Sequence, residues 1–97
     1  VDLGTTSPWS SFVQANSTSP VSRVPILIAQ TRADPLVAPA VTRAFARRLC
    51  ANRVRVRYID LPGKDHATTA RQSAAATIAW IDERFAGTRA PSDCGRI

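Results

Sequence analysis

One aspartate and the only histidine of the chain stand where an acid and a base would have to stand to work together. Asp34 follows the apolar run Val24–Gln30 (VPILIAQ), and His66 follows a second apolar run that ends at Leu61. A carboxylate hydrogen-bonded to one imidazole nitrogen fixes the ring's tautomer. It also stabilises the imidazolium that forms when the other nitrogen takes a proton. Asp34 and His66 are therefore candidates for two members of a nucleophile–base–acid triad. Each has a plainer reading: a lone loop histidine is most often merely solvated, and an aspartate ahead of Pro35 can simply cap a turn. Asp65 is a rival acid, but a sequence neighbour is badly placed to orient the ring. Asp60 lies within the second strand and is the weaker candidate.

The third member is not found. A serine nucleophile of the elbow type needs G-x-S-x-G, with serine between two glycines on a strand-to-helix turn. The glycines are Gly4, Gly63, Gly87 and Gly95, and no pair has that spacing. Ser7, Ser10 and Ser11 fall in or near a short predicted helix, and no Gly-rich oxyanion loop is present. The chain alone is expected not to hydrolyse esters.

The surrounding elements read as helix, strand, helix, strand, helix. Residues 1–23 are Ser/Thr-rich. They hold a short helix from Pro8 to Gln14, with Ser7 as its cap and Trp9, Phe12 and Val13 on one face. Val24–Gln30 is a strand without polar alternation, as in an inner strand of a parallel sheet covered on both sides. Ala40–Ala51 is a helix with a stripe at Val41, Phe45 and Leu49, ended by Asn52 in the left-handed conformation. Arg53–Leu61 is a strand in which Val54, Val56 and Tyr58 alternate with Arg55 and Arg57, as at a sheet edge. The last helix starts at a Thr68 or Thr69 cap and runs to Phe85. Its expected stripe is Ala74, Ile78, Ile81 and Phe85, with Asp82, Glu83 and Arg84 facing outward. Residues 24–87 thus form a βαβα unit and 88–97 a tail. A strand–helix–strand unit of this kind makes a parallel pair. Asp34 and His66 then share the carboxyl edge of the sheet, where α/β proteins bind ligands. Two strands are too small a sheet to stand alone. The inner strand is expected to find its missing neighbour in the parent protein, or by self-association through the unpaired edge.

Ninety-seven residues allow one domain with a modest core. The first residue is Val1, and no signal-peptide pattern follows, which suits a fragment or a processed product. The longest apolar run, Val24–Ala29 broken by Pro25, is far shorter than the roughly 20 residues of a membrane span, so no transmembrane segment is expected. The net charge of +6 comes from twelve arginines and one lysine, Lys64. The arginines are scattered over helix and strand with no aromatic interleaving, so they read as solvated side chains and no nucleic-acid partner is expected. Cys50 and Cys94 are too far apart for a CxxC pair and too few for zinc. A disulfide is preferred over two unrelated buried thiols. Such a bond would place the chain in an oxidising compartment.

The run VPILIAQTRADPLV, the helix through RRLC, VRVRYIDLPGKDH and AAATIAWIDERFAG with a late cysteine together resemble the C-terminal part of secretory triacylglycerol lipases of the α/β-hydrolase superfamily. The upstream SPWSSFVQANSTSP is similar to the segment that precedes that strand in the family. The most specific parts are I-A-Q-x-x-x-D-x-L-V, the G-x-x-H turn and the W-I-x-x-R-F-A-G helix end. The resemblance implies that Asp34 is the triad acid, His66 the triad base, and Cys50–Cys94 a family disulfide. It implies a C-terminal fragment of an α/β-hydrolase fold, from a secreted enzyme that hydrolyses lipid esters without metal or organic cofactor. The family's serine elbow, oxyanion donors and helical cap lie upstream of this part. Thr31 departs from the pattern, which has a glycine after the Gln. The alternatives are a peptidase of the prolyl-oligopeptidase type, which shares the acid-then-histidine layout, and a non-catalytic binding module on the same scaffold.

Overall fold

Five elements form along the chain in the expected order. In the computed structural model, which describes residues 1–97, they are α1 (Trp9–Ala15), β1 (Ile26–Thr31), α2 (Pro39–Ala51), β2 (Val56–Leu61) and α3 (Thr69–Phe85). β1 begins only after Pro25, which has no amide hydrogen to give a sheet. β1 and β2 pair in parallel, from Ile26 opposite Val56 to Thr31 opposite Leu61. The crossover that a parallel pair requires is α2. The result is an α/β arrangement with a single two-stranded parallel sheet.

Strand alternation separates the two helices. Gln30 bonds to Thr42 of α2, and its neighbour Thr31 bonds to Thr69 of α3. Successive strand side chains point to opposite faces, so α2 and α3 cover opposite sides of the sheet. The α2 side holds the core: Ala46, Leu49, Val54, Val56 and Tyr58 are buried, with Ile26, Ile28 and Phe45 packed against them. The alternation expected in β2 is observed, since Val56 and Tyr58 are buried while Arg57 is half-buried. Residues Ile26–Ala29 of β1 are only half-buried, and the strand's second edge has no neighbour here.

Both expected helix stripes need correction. On α2 the buried residues are Ala46 and Leu49, while Val41 is exposed. Thr42, not Val41, meets the sheet through Gln30, which sets the rotation of the helix. On α3 the covered row is Ser73, Thr77, Trp80 and Arg84. The expected row, Ala74, Ile78, Ile81 and Phe85, faces outward, with Phe85 89% exposed. The Arg84 side chain is turned inward and stacks on the Trp80 ring at 5.1 Å. The two rows of α3 differ by one residue, about 100° of helix rotation, and the inward row is the one that continues from Thr69, which bonds Thr31. Trp9, Phe12 and Val13 of α1 are exposed as well.

The caps differ too. Ser7 makes no cap on α1, and neither Thr68 nor Thr69 caps α3. The Thr68 hydroxyl instead donates to the Asp65 carbonyl at 3.1 Å. At the end of α2 the left-handed residue is Arg53, with φ of 63°, and not Asn52. The Arg53 amide donates to the Cys50 carbonyl at 2.9 Å and the Val54 amide to the Leu49 carbonyl at 3.0 Å. These are the two bonds of a Schellman motif, and the Leu49–Val54 pair in the core is its hydrophobic contact. A left-handed arginine is strained where glycine is not. Arg53→Gly is expected to stabilise the fold by about 1 kcal/mol, read as a higher urea midpoint at unchanged slope. A lower midpoint would mean that Arg53 contributes something beyond its backbone angle.

The tail is bound to the outer edge of β2. Cys50 and Cys94 form a disulfide, with the Cα atoms 5.6 Å apart. The Asp93 amide donates to the Val56 carbonyl at 2.7 Å. The Asp93 carboxylate accepts from the Tyr58 amide at 2.8 Å, from Arg57 at 2.7 Å and from Arg96. Burial alone would raise the Asp93 pKa. Arg57, the Tyr58 amide and Arg96 outweigh it and hold the carboxyl at about 2. The unfolded chain therefore takes up this proton first as pH falls. The contribution, about 2 kcal/mol, is full above about pH 4 and is lost as pH falls towards 2. Asp93→Asn is expected to flatten the acid limb of stability measured by urea unfolding across that range. An unchanged limb would assign the acid sensitivity to other carboxylates.

Candidate active site

The acid loop is built by its own backbone. After Thr31 the chain turns, and Asp34 Oδ1 accepts hydrogen bonds from the Leu36 amide (2.8 Å) and the Val37 amide (2.9 Å). Pro35 has no amide hydrogen to compete for that oxygen. Two further bonds join this turn to the one after β2: the Arg32 amide donates to the Leu61 carbonyl at 2.8 Å, and the Ala33 amide to the Gly63 carbonyl at 3.2 Å. Gly63 has φ of 143°, and a Cβ there would lie 3.4 Å from the Thr31 methyl. A side chain at Gly63 is thus opposed by the backbone angle, while the Thr31 methyl is at ordinary contact distance.

This pair of turns brings His66 to Asp34. Nδ1 of His66 lies 2.6 Å from Asp34 Oδ2. The acid is buried, its side chain only 2% exposed, while the imidazole is about half exposed. Burial by itself would raise the Asp34 pKa. The Val37 amide, the His66 side chain and the Leu36 amide outweigh it and hold the carboxyl below its ordinary value. A carboxylate has no proton to give, so Nδ1 must be the donor. In the neutral ring that leaves the lone pair on Nε2, which makes no hydrogen bond within the chain. An oriented imidazole with a free basic nitrogen at the surface is equipped to take a proton from a hydroxyl brought to it.

The rival acids are engaged elsewhere. Asp65 accepts from the Ala67 amide at 2.9 Å, and Asp60 pairs with Arg32 at 3.3 Å. Asp34 fills the turn-capping role and the histidine-orienting role at once, with one carboxylate oxygen for each.

A comparison with protein-family models matches residues 3–93 to the family described as Secretory lipase. The chain belongs to the secretory lipase family. Comparisons with curated proteins and with solved structures give no match. The Cys50–Cys94 disulfide suits a secretory lipase, and no helix is long and apolar enough to cross a membrane.

Around the pair of this lipase chain lie residues that sequence reasoning did not single out as part of the site. Gln30 is buried at the end of β1. Its amide nitrogen donates to the Thr31 carbonyl (3.0 Å) and the Val37 carbonyl (3.2 Å) and lies 3.5 Å from Asp34 Oδ2. Its amide oxygen accepts from Thr42 at 2.6 Å. A lone amide at the end of an apolar strand must find partners when buried, and that was the signal available in the sequence. Asp93, Thr31 and Thr69 were likewise missed as structural ties. The chain's cleft, about 370 Å³, is lined by neither Asp34 nor His66. It sits at the outer edge of β2 beside Arg57 and Arg96, both already paired with Asp93. Arg57 and Arg96 share the one carboxylate of Asp93, and the third arginine of the lining, Arg43, stacks on the Tyr58 ring at 4.9 Å.

Proposed function

We propose that this chain supplies the general base, His66, and the acid that orients it, Asp34, to a secreted serine lipase acting on carboxylic esters of lipids. The observation that carries the reading is the 2.6 Å contact between Asp34 and Nδ1 of His66 at the carboxyl ends of two parallel strands. Membership of the secretory lipase family favours an ester over a peptide bond as the target. The nucleophilic serine comes from another segment of the enzyme. No serine of this chain hydrogen-bonds His66, and no G-x-S-x-G is present. The unpaired edge of β1 and the outward apolar row of α3 agree with a surface meant to be covered by further polypeptide.

In the reaction, Nε2 takes the serine proton as the hydroxyl oxygen bonds to the ester carbon. It returns that proton to the departing alcohol as the carbon–oxygen bond breaks, which leaves an acyl-enzyme. Nε2 then takes a proton from water, which attacks the acyl carbon, and gives it back to the serine as the fatty acid leaves. Asp34 stays ionised throughout and stabilises the transient imidazolium.

The isolated chain is expected to give no turnover of a short-chain nitrophenyl ester above background. Turnover by the isolated chain that His66→Ala abolishes would place the nucleophile within these residues and overturn the proposal.

A further inference from the structure

We propose that the hydroxyl pair Thr31–Thr69 is a positioning clamp that holds His66 against Asp34. The inference rests on the reading of those two residues as acid and base. Thr31 is the last residue of β1, three before Asp34, and Thr69 is the first of α3, three after His66. Their Oγ1 atoms are 2.6 Å apart, and Thr31 is fully buried. Each three-residue step is closed by its own backbone bond: the Asp34 amide donates to the Thr31 carbonyl at 3.3 Å, and the Thr69 amide to the His66 carbonyl at 3.2 Å. The result is a closed ring. Two short turns form its sides, and two side-chain contacts, His66–Asp34 and Thr31–Thr69, join them.

The ring explains how a half-exposed imidazole keeps one orientation. His66 stands on a loop, and its only side-chain hydrogen bond within the chain is to Asp34. The Ala33–Gly63 backbone bond ties the loop to the acid turn only ahead of His66, so on its other side the loop could still carry the ring away. The Thr31–Thr69 bond stops this by fixing the start of α3 to the end of β1, on the side of the loop opposite the acid. The glycine that the family pattern places after Gln30 has no hydroxyl, so this clamp does not follow from the resemblance. Thr31 and Thr69 do not touch a reacting atom, and their part is to position.

The test reads His66 directly by nuclear magnetic resonance on the chain as it exists. In alkaline buffer the Nδ1–H proton should appear at low field, protected from exchange by the Asp34 bond. Thr69→Val keeps the shape of the side chain and removes the hydroxyl at a half-buried position. It is expected to leave the amide pattern of the fold in place and to speed exchange of the Nδ1–H by about tenfold, the effect of one lost hydrogen bond. Thr69→Ser restores a hydroxyl and should restore the wild-type exchange rate. A Thr69→Val spectrum with unchanged Nδ1–H exchange overturns the clamp while the acid–base pair stands. A wild-type signal indifferent to Asp34→Asn overturns the acid–base reading and the clamp with it.

Discussion

His66→Ala, introduced into the enzyme that carries both this chain and its serine, is expected to lower kcat for a short-chain ester by about 10⁶-fold. The size follows from what the imidazole does. Without a base the serine hydroxyl must lose its proton unaided, and without an acid the alkoxide leaves unprotonated. KM should change little, because the ring acts on the transferred proton and not on substrate binding. Thermal stability should also stay close to wild type, since the ring is about half exposed and its one contact is to Asp34. Asp34→Asn should follow the same direction for a different reason. Asparagine can donate to Nδ1, which favours the tautomer whose lone pair points away from the reaction. Its stability should fall as well, because the Leu36 and Val37 amides would meet a neutral oxygen in place of a carboxylate. A kcat within tenfold of wild type for His66→Ala would remove this histidine from the proton path.

Reduction of Cys50–Cys94, or the double replacement Cys50→Ser with Cys94→Ser, is expected to cost about 4 kcal/mol of folding stability. That is the loop-closure entropy of a cross-link spanning this many residues, here a sequence separation of 44. The loss is large against the 5–15 kcal/mol typical of whole domains. It falls on the tail that covers the outer edge of β2, where Asp93 bonds the backbone of Val56 and Tyr58. Urea unfolding with and without reductant reads the effect. A midpoint unmoved by reductant would mean that Asp93 and its arginines hold the tail without the bridge.

The acid–histidine pair was legible because strand ends are easy to see. An apolar run stopped by polar and proline residues marks where a strand delivers the next side chain, and both Asp34 and His66 follow such a stop. The parallel pairing follows from the helix between the strands, since a crossover of that length joins parallel neighbours. For the two cysteines the sequence excluded a CxxC pair and zinc and favoured a disulfide over two unrelated thiols, and the structure shows the bond. The helix faces were harder. α3 carries an apolar row and a more polar row displaced by one position, and hydrophobic pattern alone prefers the apolar one. The fold turns the other inward, on the side where Thr69 meets Thr31 across a sequence separation of 38. Val41 misled for the same reason, with Thr42 tied to Gln30.

The sequence by itself determined the order of the elements, the parallel crossover, and the two turns that carry a carboxylate and an imidazole. All of these depend on periodicity, punctuation and chain length, which are local. Only the tertiary structure decided which face of each helix turns inward, that Arg53 takes the left-handed angle, and that Gln30, Thr31 and Thr69 brace the site. Those outcomes depend on hydrogen bonds between groups distant along the chain, and a polar side chain does not reveal its partner until the backbone brings the two within reach.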